Sequence, residues 1–100
     1  MPMVEEVIAA GLALTNDPTG EHLDRYRLAV REFLDAALQD SMRVESEASP
    51  GLRQKVFSTV TRVDIALADL ADAVLGKQQD ILRLKSIIDQ IKGLVIDLYQ

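Results

Sequence analysis

The stretch that decides the fold is residues 56–98, which read VFSTVTRVDIALADLADAVLGKQQDILRLKSIIDQIKGLVIDL. Aliphatic residues recur through it at alternating gaps of four and three, which is the heptad period of a helix packed against other helices. A second apolar position flanks the stripe, so the pattern favours a bundle over a two-stranded coiled coil. The stripe consists of Val56, Val60, Val63, Leu67, Leu70, Val74, Lys77, Ile81, Leu84, Ile88, Ile91, Val95 and Leu98, and all but Lys77 are aliphatic.

Gly76 and Lys77 interrupt the stripe near its middle, and two interpretations are open there. The heptad phase is the same on both sides of Gly76, and an inserted turn usually shifts such a phase. This favours one continuous helix over residues 50–98 with a polar layer at Lys77. The alternative is a helix end at Gly76 followed by a tight turn, which gives a chain of four helices.

Two proline-containing segments divide the rest of the chain. Proline is favoured in the first turn of a helix, so Asp17-Pro18 and Ser49-Pro50 are each predicted to be an N-cap followed by a first helical residue. The predicted helices are therefore residues 3–14, 18–45 and 50–98, and no segment alternates with the period of a strand. The expected fold is all-α: a single domain, residues 1–100, in which two shorter helices pack on one long C-terminal helix.

A continuous third helix implies self-association. Its 49 residues would be about 73 Å long at ~1.5 Å per residue, which is more than the first two helices can cover. The uncovered aliphatic surface predicts a homodimer, either a bundle or a coiled coil. The predicted self-association residues are Lys77, Ile81, Leu84, Ile88 and Ile91, with Tyr26 and Phe33 anchoring the second helix and Gly93 allowing another helix to approach closely.

Composition excludes several classes of chemistry. The chain has 100 residues, no cysteine, one histidine and a formal net charge of −5. Thiolate and multi-histidine metal sites, thiol catalysis and disulfides are therefore excluded. An acidic chain is a poor nucleic-acid binder. Because we also find neither a signal peptide nor a stretch long enough to span a bilayer, we expect a cytoplasmic protein.

No catalytic motif is present, and we expect no catalytic residues, metal or cofactor. His22, the single histidine, is expected to be a solvated residue in the first turn of the second helix. The expected function is that of a non-enzymatic scaffold or adaptor, which acts through self-association and helix–helix contacts with an unidentified protein partner. The alternative is a cytoplasmic chaperone for flagellar or secreted subunits, because such proteins are also small, acidic and helical.

Two segments carry a resemblance to a known family. They are Leu23, Tyr26, Val30 and Phe33 in the second helix, and the C-terminal Gly93-Leu94-Val95-Ile96-Asp97-Leu98-Tyr99. On these residues the chain resembles the YaaR-like family of small bacterial helical proteins. Members of that family generally carry an extra N-terminal tail, and this chain is shorter than they usually are. The resemblance implies an all-helical fold and a bacterial cytoplasmic setting, and it implies no reaction.

Overall fold

The described part of the chain forms four helices. A computed structural model describes residues 2–45 and 51–99, with α1 at Pro2–Asn16, α2 at Gly20–Glu45, α3 at Leu52–Leu75 and α4 at Ile81–Tyr99. No strand occurs in the described ranges, and the predicted all-α class is confirmed. The predicted start of the third helix at Ser49-Pro50 lies outside the described residues.

The helices pack as two hairpins around one core. α1 contacts α2 and α3 contacts α4, while α2–α3 and α1–α4 contacts join the two pairs. One apolar cluster runs through all four helices. The longest dimension of the molecule is 48 Å. A straight helix of 49 residues, about 73 Å long, would not fit within it.

The continuous helix over residues 50–98 is therefore wrong, and the alternative with a turn at Gly76 is correct. The Gly76 N–H donates a hydrogen bond to the Asp72 carbonyl oxygen at 2.9 Å, at the C-terminal end of α3. The Asp80 N–H donates to the Ala73 carbonyl oxygen at 3.2 Å, which links the start of α4 to the last turn of α3. The Asp80 carboxylate then accepts a hydrogen bond from the Arg83 N–H at 3.0 Å. Asp80 is thus the N-cap of α4, and the chain reverses within residues 76–80.

The heptad residues themselves face the core on both sides of this turn. Of the thirteen positions in the stripe, only Lys77 and Ile81 are exposed. In a hairpin each helix presents its own apolar stripe to the shared core, whatever the phase of the other. An unbroken heptad phase therefore carries no information on whether the two helices are continuous.

The start of α2 also differs from the prediction. The His22 N–H donates to the Thr19 hydroxyl at 3.1 Å, so Thr19, and not Asp17, provides the side-chain cap. The amide of Gln79 donates to the Pro18 carbonyl oxygen at 2.8 Å. This hydrogen bond joins the α1–α2 turn to the α3–α4 turn and places both at the same end of the molecule.

Replacing Gly76 with alanine is expected to destabilise the protein by about 1–2 kcal/mol. A Cβ atom at this position would lie 2.6 Å from the Asp72 carbonyl oxygen, which cannot move without disturbing the last turn of α3. This steric cost should exceed the stabilisation that alanine provides by reducing the conformational entropy of the unfolded chain. Urea unfolding checks the prediction, with Gly51→Ala as the control because nothing lies within 4 Å of a Cβ there. A Gly76→Ala midpoint at or above that of the wild type would contradict it.

Candidate functional site

Three of the predicted self-association residues are buried inside the chain. Leu84, Ile88 and Ile91 all belong to the core cluster of the four helices. They are not available to a second copy of the folded chain, so their assignment to a dimer interface is corrected. The physical reason is the turn at Gly76, which folds α4 back and lets its apolar stripe pack against the other helices of the same chain.

The remaining predicted interface residues fall into different environments. Lys77 lies in the exposed α3–α4 turn and not in a helical seam, and Ile81 is partly exposed at the start of α4. Gly93 is exposed, and a Cβ atom there would meet nothing within 4 Å, so no helix in the described part of the same chain approaches it closely, and an approach by another chain stays a prediction. Tyr26 and Phe33 are buried and anchor α2 in the core.

Large apolar side chains remain exposed at the α3–α4 turn. Leu75 is 63% exposed and Leu82 is 81% exposed, with Ile81 between Leu82 and the turn. We call Leu75, Lys77, Ile81 and Leu82 the turn surface. It rests on a fixed base, because the Gln79–Pro18 hydrogen bond and the Asp80 cap hold the turn in place.

A second feature is a cavity between α1 and α4, with Tyr26 of α2 in its wall. Its volume is about 190 Å³, and its apolar wall includes Val7, Ile8, Leu12 and Ile88. Gly11 allows α1 to pack closely against Tyr26 of α2 and Ile88 of α4. A Cβ atom at position 11 would lie 3.2 Å from both the Tyr26 ring and the Ile88 side chain.

Three charged residues of α4 form the rim of this cavity. Lys85, Asp89 and Lys92 are spaced four and three residues apart, which places them on one face of the helix. All three are exposed, and none has an ion-pair partner within the described residues. The rim therefore carries two positive charges and one negative charge.

The hydroxyl of Tyr26 is buried and has no hydrogen-bond partner among the described residues. Burial, and secondarily the negative charge of Asp89, hold the pKa of this phenol well above its ordinary value of 10.0. A buried hydroxyl without a partner is unusual in a folded protein, since such groups nearly always find one. The Tyr26 hydroxyl is therefore a hydrogen-bond donor without an acceptor among the described residues, on a side chain that lines the cavity. The negative charge of Asp89 is close enough to affect its pKa.

Sequence reasoning identified Tyr26 as an anchor of the second helix, but it did not identify the cavity. The available signals were Gly11 within the apolar stretch 7–14 and the charges at positions 85, 89 and 92, which flank the apolar stripe of α4. These signals are weak because they become one site only when α1 crosses α4.

The described ranges of the chain, 2–45 and 51–99, hold no group of three His, Cys, Asp or Glu side chains arranged to bind a metal ion. Within the same ranges, no helix is both long enough and apolar enough to cross a membrane.

Comparison with known proteins places this fold among proteins without an assigned role. The chain is 25% identical over 99 residues to the uncharacterized protein YaaR of Bacillus subtilis, an alignment that covers 97% of this chain and 68% of YaaR. It is also similar to the crystal structure of the uncharacterized protein BH1478 from Bacillus halodurans, with a TM-score of 0.87 and 33% identity over 99% of this chain and 82% of that one. Residues 1–99 match the family described as "Protein of unknown function (DUF327)". The resemblance to YaaR is thereby confirmed, and the chain belongs to the DUF327 family.

Proposed function

We propose that the protein is a non-enzymatic scaffold that associates with a second copy of itself through the turn surface. The observation that carries the proposal is the exposure of Leu75 and Leu82 on the two sides of a rigid turn. Exposed apolar side chains gathered at one place on a folded protein are typical of a contact surface. A fixed base favours binding, because little conformational entropy is lost when such a surface is covered.

The charges around the turn surface fit a two-fold partner. In a two-fold dimer the same patch meets itself, so charges in the patch are complementary only when both signs are present. Lys77 is exposed and lacks an ion-pair partner within the described residues, while Asp72 and Asp80 lie on either side of it in the chain. A second copy would bring a carboxylate within reach of each Lys77.

The turn surface is small, so the expected dimer is weak and dissociates on dilution. Sedimentation velocity from about 10 μM to about 1 mM protein should show a monomer–dimer equilibrium. Leu82→Asp should weaken the dimer at least about tenfold, because each copy would bury a carboxylate at the contact. The fold should be unaffected, since Leu82 is mostly exposed.

Ile65→Asp provides the matched control. Ile65 is 61% exposed near the middle of α3, so the substitution is equally polar but removed from the turn. It should leave the dimer constant within about twofold. A wild-type protein that stays monomeric at the highest concentration, or a dimer that Ile65→Asp disrupts and Leu82→Asp does not, would contradict the proposal.

A further inference from the structure

The cavity between α1 and α4 has the features of a small-molecule site, independently of the turn surface. Its apolar walls belong to α1 and α4, and the buried hydroxyl of Tyr26 beside it has no partner among the described residues. The Tyr26 side chain is part of the cavity wall, but its hydroxyl oxygen is not exposed to the cavity, so an acceptor reaches it only when the wall side chains shift slightly. An apolar cavity with a few polar groups at defined positions is the usual form of a ligand site.

The size of the cavity limits the apolar part of the ligand. A cavity of about 150 Å³ lined by aliphatic and aromatic side chains accommodates benzene. The cavity here, about 190 Å³, is slightly larger. An apolar body of about six to eight carbon atoms is therefore the appropriate size.

The rim charges determine the polar part of the ligand. Lys85 and Lys92 attract an anion, and Asp89 lies between them on the same face of α4. The sum of these three charges is +1, so a single negative charge neutralises the rim. A phosphate monoester, which carries about −1.5 to −2 at neutral pH, would leave excess negative charge next to Asp89. A carboxylate carries one charge and can accept a hydrogen bond from a phenol.

From these observations we infer that the protein binds a small aliphatic monocarboxylate between α1 and α4. The apolar body contacts Ile8, Leu12 and Ile88, the carboxylate accepts a hydrogen bond from the Tyr26 hydroxyl, and Lys85 and Lys92 supply the counter-charge. The binding free energy of so small a ligand is modest, and the expected Kd for octanoate is on the order of 1 mM.

The probes that test this inference are octanoate, octan-1-ol and octylammonium. Their binding to the 100-residue chain is followed by amide chemical shifts. Octanoate should cause saturable shifts centred on Gly11 and Ile88. Octan-1-ol has the same apolar body without the charge, and octylammonium reverses the charge. Both should bind at least about fivefold more weakly than octanoate.

Two variants test the polar contacts. Tyr26→Phe should weaken octanoate binding about fivefold, because it removes the donor and leaves the ring in place. Lys92→Glu should weaken it by a similar or larger factor, because it reverses one rim charge. Arg62→Glu is the matched control, since Arg62 is exposed on α3 and does not line the cavity. It should leave the octanoate Kd unchanged.

Several results would overturn the inference. Equal binding of octan-1-ol and octanoate would remove the role of the rim charges. Shifts centred on Leu75 and Leu82 would show generic association with the turn surface. The absence of saturable shifts with all three probes would show that the cavity does not bind ligands of this size.

Discussion

Replacing Leu84 with alanine is expected to lower the free energy of unfolding by about 2–5 kcal/mol. Leu84 is 0% exposed and lies in the core shared by all four helices. Truncating it removes buried apolar surface and leaves a cavity that the packed neighbours fill only in part. A loss of this size is a large fraction of the total stability of a domain of about 100 residues, roughly 5–15 kcal/mol. Urea unfolding followed by far-UV circular dichroism measures it.

Leu82→Ala is the control for that experiment, because it makes the same truncation two residues earlier in the same helix. Leu82 is mostly exposed, and its replacement should change the free energy of unfolding by no more than about 0.5 kcal/mol. The contrast tests the fold itself. In a continuous α3–α4 helix that dimerises along its stripe, the stability of Leu84→Ala would depend on protein concentration. In the hairpin it does not at concentrations where the protein is monomeric, so a concentration-dependent loss measured there would contradict the fold.

Alkaline pH is expected to destabilise the protein through Tyr26. Burial, together with Asp89, holds the pKa of this phenol above 10.0 in the folded state, whereas the unfolded phenol keeps its ordinary value. Above pH 10 the unfolded chain releases a proton that the folded chain retains, so stability that is complete below pH 10 is lost as the pH rises. The loss attributable to Tyr26 should approach about 1.4 kcal/mol per pH unit.

Comparison with Tyr26→Phe isolates this contribution from that of every other group in the protein. Between pH 8 and about pH 11.5 the variant should lose about 2 kcal/mol less stability than the wild type. At pH 8 its stability should equal or slightly exceed that of the wild type, because the hydroxyl it removes has no partner in the described structure. Tyr99→Phe, at a half-exposed position, should follow the wild type. Parallel pH profiles for all three proteins would show that Tyr26 ionises without unfolding.

The core of the protein was predictable from the sequence because the signal is strong and local. Val63, Leu70 and Val95 were assigned to the stripe from their spacing alone, and all three are buried. Tyr26 and Phe33 were assigned to the anchoring of α2 in the same way. Helical periodicity identifies the side of a helix that becomes buried, and it does so before any partner helix is known.

The partner of that buried side could not be predicted in the same way. Leu84, Ile88 and Ile91 had the pattern of an interface between chains and are instead part of the core of one chain. A stripe requires a complementary surface, and an identical stripe on another molecule or a different helix of the same molecule satisfies it equally well. The small signals that distinguish them here were the cap residues, Gly76 at the end of α3 and Asp80 at the start of α4.

The candidate binding features were the least predictable part. The cavity combines Ile8 and Gly11 from α1, Tyr26 from α2 and Lys92 from α4, and no spacing relates residues that lie so far apart in the chain. The turn surface depends on which of several neighbouring leucines the fold leaves uncovered. Helical periodicity already separates Leu84, which belongs to the apolar stripe, from Leu82, which lies off it, but only the hairpin places the exposed Leu82 beside a turn.

By itself, the sequence determined the helical class, the apolar face of each helix and the absence of cysteine-based chemistry, because these properties depend on residue type and on spacing within one helix. The tertiary structure decided that residues 56–98 form a hairpin and that the apolar stripe packs within one chain. It also decided that Tyr26, whose hydroxyl has no partner among the described residues, lines an apolar cavity with a charged rim. These outcomes depend on how separate helices share a limited buried volume, which is a property of the whole chain and of no single segment.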